Sequence, residues 1–211
     1  MKTEEFIRAL AADRAVQMRP GLAFGLALAA GAVIAATVFM LALGVRPDVL
    51  GALGTVRFPF KFVVTIALVA AGLRLALALA RPGGDAAAAA RLLAVPAVLI
   101  GGALAIELAV VPTSAWGTRL IGTNAKVCLS AIPVIAIGPL VAILLAMRSG
   151  APTAPARAGA CAGLVAAALA ATFYAAHCTD DSPLFVATWY SLAIALVVAV
   201  GALLGPRVLR W

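Results

Sequence analysis

Charge is what this chain has least of. Only 11% of its 211 residues are Asp, Glu, Lys or Arg, aromatic residues make up 6%, and there is one histidine. A soluble domain carries about a quarter of its residues as charge, so a water-exposed globular domain of this length is excluded. There are three cysteines and no CxxC pair, which removes the dithiol motif of a thiol-exchange enzyme. No Gly-rich phosphate loop, no HExxH and no nucleophile set beside a base occurs. Enzyme classes built on those motifs lose their chemistry here.

What fills the chain is aliphatic side chain, 65% of it hydrophobic. A helix crossing the hydrocarbon core needs about 20 apolar residues, and six runs of that length occur, at 21–45, 60–80, 90–112, 127–147, 156–176 and 184–205. Apolar residues occupy every face of the runs instead of alternate positions, so helices are expected and a barrel is not. The fold class is therefore all-α, a six-helix transmembrane bundle, with a cytoplasmic N-terminal helix over 1–20 and the membrane domain over 21–211. Glu4, Glu5 and Asp13 in the first twenty residues argue against a cleavable signal peptide.

The net charge of +8 is unevenly placed. Ten Lys and Arg fall in the N-terminal segment, the second and fourth connections and the C-terminus, and five in the other connections. The positive-inside rule then puts both termini in the cytoplasm. Heavy use of Ala, and of Arg over Lys, suggests a GC-rich bacterial source and its inner membrane. The expected surroundings are membrane lipid, with no direct nucleic-acid contact.

Residues 2–19 read as a short helix with Glu4 and Glu5 in the first turn, where acids suit the dipole, and Phe6, Ile7 and Leu10 on an apolar side. It is the one cytoplasmic element large enough to hold a partner; the alternative is a helix lying on anionic lipid. Small residues four apart, Gly21/Gly25, Gly159/Gly163 and Gly201/Gly205, predict close approach of the first, fifth and sixth helices. Pro133 and Pro139 predict a bend in the fourth.

Among the ionisable residues in or beside the runs, three stand out: Lys61 at a membrane edge, Arg74 within snorkelling reach of the inner face, and Glu107, the one acid in an apolar run. Glu107 is expected to pair with Lys61 or Lys126. A small transporter using Glu107 and Arg74 is a competing function, though the chain lacks evident repeats. A membrane thiol oxidoreductase is a third, without the second cysteine pair it would need.

The polar stretch His177–Tyr190, HCTDDSPLFVATWY, interrupts the apolar sequence with the only histidine and two adjacent acids. Ser182-Pro183 resembles an N-cap followed by Pro at the first helical position. Cys128 and Cys178 both fall at outer helix ends. Cys161 lies about 25 Å from Cys178 by helical rise and is expected to be a packing residue. For Cys128 and Cys178, three fates stay open: a disulfide, a soft-metal site completed by His177, Asp180 or Asp181, or two unrelated buried thiols. A soft metal ion there is the only cofactor the residues suggest.

MKTEEFIRALAAD, RFPFKFVVTIALVAAGL, CLSAIPVIAIGPL, RSGAPTAPARAG and HCTDDSPLFVATWYSLAIA together resemble the NrsF family of six-helix bacterial membrane proteins, across nearly the whole chain. The resemblance implies a negative regulator, an anti-sigma factor, of an extracytoplasmic-function sigma factor. It implies a cytoplasmic face that holds the sigma factor, chiefly residues 1–19, and release when outer cysteines sense heavy metal or oxidative stress. Cys128 and Cys178 match the family's paired cysteines; Cys161 lies outside that motif.

Overall fold

The structure, a computed structural model, describes residues 3–5 and 20–210. Thr3–Glu5 are helical and exposed; the rest of the expected N-terminal helix, with Phe6, Ile7 and Leu10, lies outside the described residues. Among the described residues all regular structure is helical. The main helices are α1 (Pro20–Ala42), α2 (Arg57–Leu79), α3 (Ala94–Val110), α4 (Ala125–Arg148), α5 (Pro155–Ala175) and α6 (Ser191–Val208). Short helices Val49–Leu53, Ala86–Arg91 and Trp116–Ile121 lie in the connections, and Pro183–Phe185 with a wide turn at Val186–Tyr190 runs into α6. Six helices are long and apolar enough to cross a membrane, and side chains such as Val33, Leu41, Val98, Ile106 and Val110 are exposed on them. Apolar faces of that extent make the helices candidate membrane spans.

Sequence sets where the helices stop. α1 ends just before Gly44, whose φ of 71° only glycine adopts without strain, and Pro47 prevents its resumption. α4 runs through Pro133 and Pro139 as one helix.

α5 is the axis of the bundle. It packs against α6, α4, α2 and α1 and is buried nearly end to end, from Ala158 to Ala175. Its composition explains this, because a helix of Ala and Gly lets several neighbours approach its backbone at once. The tightest crossing is with α6, where a Cβ on Gly159 would meet the Gly201 carbonyl oxygen and one on Gly205 the Pro155 carbonyl oxygen. The first glycine pair behaves otherwise than its spacing suggested. Gly21 and Gly25 have nothing within 4 Å of a built Cβ. α1 meets α4 further along, with Gly31 on Pro139 and Gly138 on Ile34.

Helix alternation gives the bundle two ends. Connections 43–56, 111–124 and 176–182 meet at one, with five cations (Arg46, Arg57, Lys61, Arg119, Lys126) and four acids (Asp48, Glu107, Asp180, Asp181). Connections 80–93 and 149–154 and the last residues of α6 meet at the other. Within those connections, the helix turns beside them and the end of α6, Arg81, Arg91, Arg148, Arg157, Arg207 and Arg210 outnumber one acid, Asp85.

Candidate functional site

At the first of these ends the segment His177–Ser182 forms a clasp bonded to the α1–α2 connection, to α2, to α3 and to the turn that opens α4. The preceding backbone is pinned from the α1–α2 connection, where the Arg46 amide donates to the Ala176 carbonyl at 3.0 Å. His177 Nδ1 lies 3.0 Å from the Gly44 carbonyl oxygen; a carbonyl only accepts, so Nδ1 carries the proton in this contact.

Cys178 is fully buried, and its carbonyl oxygen is held by two cations: Lys61 Nζ at 2.8 Å and Arg46 Nη1 at 3.3 Å. Both also hold Asp181, Lys61 at 2.6 Å from Oδ1 and Arg46 at 2.9 Å from Oδ2. Lys61 is only 1% exposed, and its ammonium is met by these partners and by the Phe58 ring, whose centroid is 5.2 Å from Nζ. Arg46 makes a further two-pronged contact with Asp48, Nε to Oδ1 and Nη2 to Oδ2, each at 2.7 Å. These bonds raise the Arg46 pKa above its already high ordinary value, and Arg46 in turn holds the Asp48 carboxyl below the usual range.

Asp180 faces the other way. Its carboxylate accepts from the Thr123 amide at 3.0 Å, the Asn124 amide at 2.8 Å and Asn124 Nδ2 at 2.9 Å, which fixes the turn that opens α4. Gly122 in that turn has φ 57°, and a Cβ there would lie 2.6 Å from the Phe185 ring and 2.7 Å from Asp180. Only glycine fits both the backbone and the space.

Glu107, 3% exposed, ties α3 into the same assembly. Arg119 Nη1 lies 2.8 Å from Oε1 and Arg57 Nη2 3.6 Å from it. Oε2 accepts from Ser182 Oγ at 2.8 Å and the Leu184 amide at 2.9 Å. The expected partners of Glu107 are thus corrected: it pairs with Arg119 and Arg57, while Lys61 is taken by Asp181 and Lys126 is exposed. Ser182 is the residue before the helical turn, as its sequence suggested, but its hydroxyl makes no cap bond to that turn. The cap comes from Glu107 across the bundle.

The thiols of Cys128 and Cys178 are both fully buried in the same core, and both are free. Cys178 Sγ donates to the Asp180 carbonyl at 3.7 Å. Burial pushes the Cys178 thiol pKa up, with the charge of Lys61 opposing. Tyr174, whose hydroxyl donates to the Asn124 carbonyl at 3.4 Å, and Tyr190 pack beside them with ring centroids 5.7 Å apart. His177, Asp180 and Asp181 point to other partners, and among the described residues no group of three or more His, Cys, Asp and Glu side chains is placed to hold a metal ion. Cys161 sits apart on α5, its thiol donating to the Gly72 carbonyl at 3.3 Å. Arg74 is exposed on α2, with no carboxylate in salt-bridge range among the described residues.

Sequence reasoning singled out Lys61, Glu107, Cys178 and the two acids, and missed Arg46, Arg57 and Arg119 as their counter-charges. The available signal was the near balance of five cations and four acids at this end, which implies mutual pairing.

The family model described as "Negative regulator of sigma F", NrsF, matches residues 10–211. Over 213 residues, the full length of both chains, the sequence is 35% identical to the probable anti-sigma-F factor NrsF of Azospira oryzae. It is 34% identical over 217 residues, again the full length of both, to the anti-sigma-F factor NrsF of Caulobacter vibrioides. No solved structure matches the chain.

Proposed function

The chain belongs to the NrsF family of negative regulators of sigma F, regulators and not enzymes, and from that membership we propose that it is a membrane-bound anti-sigma factor. Its partner is an extracytoplasmic-function sigma factor, held at the membrane and so kept from the polymerase. The observation that carries this is the match to two anti-sigma-F factors over their entire lengths. The six candidate spans support a multi-pass protein, which we place in the bacterial inner membrane. The excess of arginine at one end supports an orientation with that end and both termini in the cytoplasm. Residues 1–20 are the proposed sigma-holding segment, with Glu4, Phe6, Ile7 and Leu10 as its candidate contacts, and 21–211 the membrane domain.

The clasp is then the sensing end, and Cys128 and Cys178 are the groups that report stress. An oxidant that accepts two electrons and two protons from the two thiols leaves a disulfide between them; a soft metal ion instead displaces the thiol protons. Either change moves the Cys178 sulfur, and the adjoining segment reaches Lys61 and Arg46 through the Cys178 carbonyl, Asn124 through the Asp180 carboxylate and Glu107 through the Ser182 hydroxyl. A stimulus shifts the bundle only as far as it favours one arrangement of these contacts over another.

Purification from detergent with and without residues 1–19 tests the first part: a sigma factor is recovered with the full chain and lost with the truncation. Retention by the truncated chain moves the binding surface elsewhere. A reporter for the sigma-dependent genes, in cells carrying Cys128→Ser or Cys178→Ser, tests the second. Basal repression with loss of induction by cadmium or oxidant is expected, and an unchanged response removes the thiols from the mechanism.

A further inference from the structure

The end of the bundle opposite the clasp holds a cavity of about 500 Å³ between α2, the Ala86–Arg91 helix, α5 and α6. Leu75, Leu79, Leu164 and Val198 line its apolar part, and room is left where Ala87 carries only a methyl group. Its one charged lining residue is Arg157, exposed in the first turn of α5. No carboxylate lies in salt-bridge range of that guanidinium among the described residues. Asp85, the acid of the neighbouring 80–93 connection, is engaged within it, accepting from the Ala88 amide at 2.8 Å. α5 runs 21 residues from this point, so its N-terminus adds positive partial charge beside Arg157.

A slot with an apolar wall and an uncompensated cation at its rim matches a molecule with a hydrocarbon tail and an anionic head. The clasp end supplies the contrast. A cavity of about 520 Å³ there is also apolar and also holds an arginine, but Arg57 has Glu107 at 3.6 Å, so the surplus charge that would select an anion is largely cancelled. We propose that the cavity beside Arg157 binds an anionic phospholipid, its acyl chain along Leu75, Leu79, Leu164 and Val198 and its phosphate on Arg157. Basic pockets between membrane helices take such headgroups because charge adds to hydrocarbon burial. The site does not depend on the sigma factor, and its test involves none.

Native mass spectrometry of the full-length protein, titrated with phosphatidylglycerol or phosphatidylcholine of the same chain length, reads the site. One phosphatidylglycerol is expected to remain bound with roughly fivefold preference, the gain from one basic side chain near an anionic headgroup. Arg157→Gln is expected to bring the two lipids to parity. Ala87→Phe, which fills the slot and leaves the charges in place, should lose the retained lipid. Both positions are exposed, and Ala90→Phe on the same wall replaces Ala87→Phe should that variant not fold. Equal binding of the two lipids by the unaltered protein overturns the proposal, as does a preference that survives Arg157→Gln. A preference untouched by filling the slot assigns it to the diffuse basic surface. A dimer that excludes lipid assigns the slot to a second copy of the chain. Either result overturns this site.

Discussion

Lys61→Met removes the most deeply buried cation of the clasp while keeping most of its stem volume, so the loss it produces is electrostatic and leaves little cavity. Nζ gives up two short contacts, 2.6 Å to Asp181 and 2.8 Å to the Cys178 carbonyl. Hydrogen bonds to charged groups contribute about 1.5–3 kcal/mol each, and stranding one partner of a buried pair costs about 3–5 kcal/mol. Neither figure applies in full. Asp181 keeps 20% of its side chain exposed and retains Arg46 at 2.9 Å, and the Cys178 carbonyl retains Arg46 at 3.3 Å. The expected loss is therefore about 2–3 kcal/mol, read by equilibrium unfolding of the full chain in mixed micelles. Lys61→Met combined with Asp181→Asn should destabilise by less than the sum of the single changes, with a coupling of about 1–2 kcal/mol. A Lys61→Met protein within about 0.5 kcal/mol of the parent, or additive single changes, would refute the ionic account of the clasp.

Gly159→Leu drives a side chain into the Gly201 carbonyl and the Gly205 backbone, so the same assay should show a loss of at least about 3 kcal/mol. Gly101→Ala, with nothing within 4 Å, should be neutral or gain up to about 1 kcal/mol; equal behaviour of the two contradicts the tight α5–α6 crossing. Glu107→Ala strands Arg119, Ser182 and the Leu184 amide and is expected to cost about 3–5 kcal/mol. Glu107→Gln, which retains an acceptor for the amide, should cost clearly less, and a Gln variant as damaged as Ala would argue against the capping role. In a Cys128→Ser/Cys161→Ser background, N-ethylmaleimide labelling of Cys178 should stay slow through about pH 8.5, the ordinary thiol value, because burial favours the protonated form. The sign follows for stability too: the unfolded thiol ionises first, so this contribution declines as pH rises above the unfolded value. Labelling that accelerates through the ordinary range would show an accessible thiol.

The spans were legible because one quantity, the length of an uninterrupted apolar run, decides them. Their ends were legible wherever a residue has a single use, as at Gly44 and Pro47. Pairings were less so. Nothing in the sequence says that the α1–α2 connection folds back until its backbone bonds Ala176. Without that fold Arg46 is one more loop cation, and with it Arg46 serves Asp48, Asp181 and Cys178 together. Lys61 and Arg57 stand at similar separations from Glu107 along the chain, too close to tell apart; the path of the 177–182 segment gives Lys61 to Asp181 and leaves Arg57 and Arg119 to Glu107. The glycines teach the same lesson from the other side, since four-residue spacing permits a close crossing at Gly21/Gly25 and at Gly159/Gly163, and only the second has a helix opposite it.

The two parts of the bundle differ in how they fail. α5 and α6 are joined backbone to backbone through glycine, a contact with no ionisable group in it and hence little response to chemistry at the surface. At the clasp the helix starts depend on other elements for their hydrogen bonds. Neither Asn124 nor Ser182 caps its own helix, and the amides of Asn124 and Leu184 are satisfied by Asp180 and Glu107. Next to lipid an unpaired amide finds little water to replace its partner. Displacing residues 178–182 therefore withdraws the acceptor at the start of α4 and the Ser182 and Leu184 donors from Glu107 together, with the Lys61 and Arg46 contacts broken in the same movement. Losses that fall together favour either an intact clasp or a released one over intermediate positions, which is the behaviour the proposed sensing role requires.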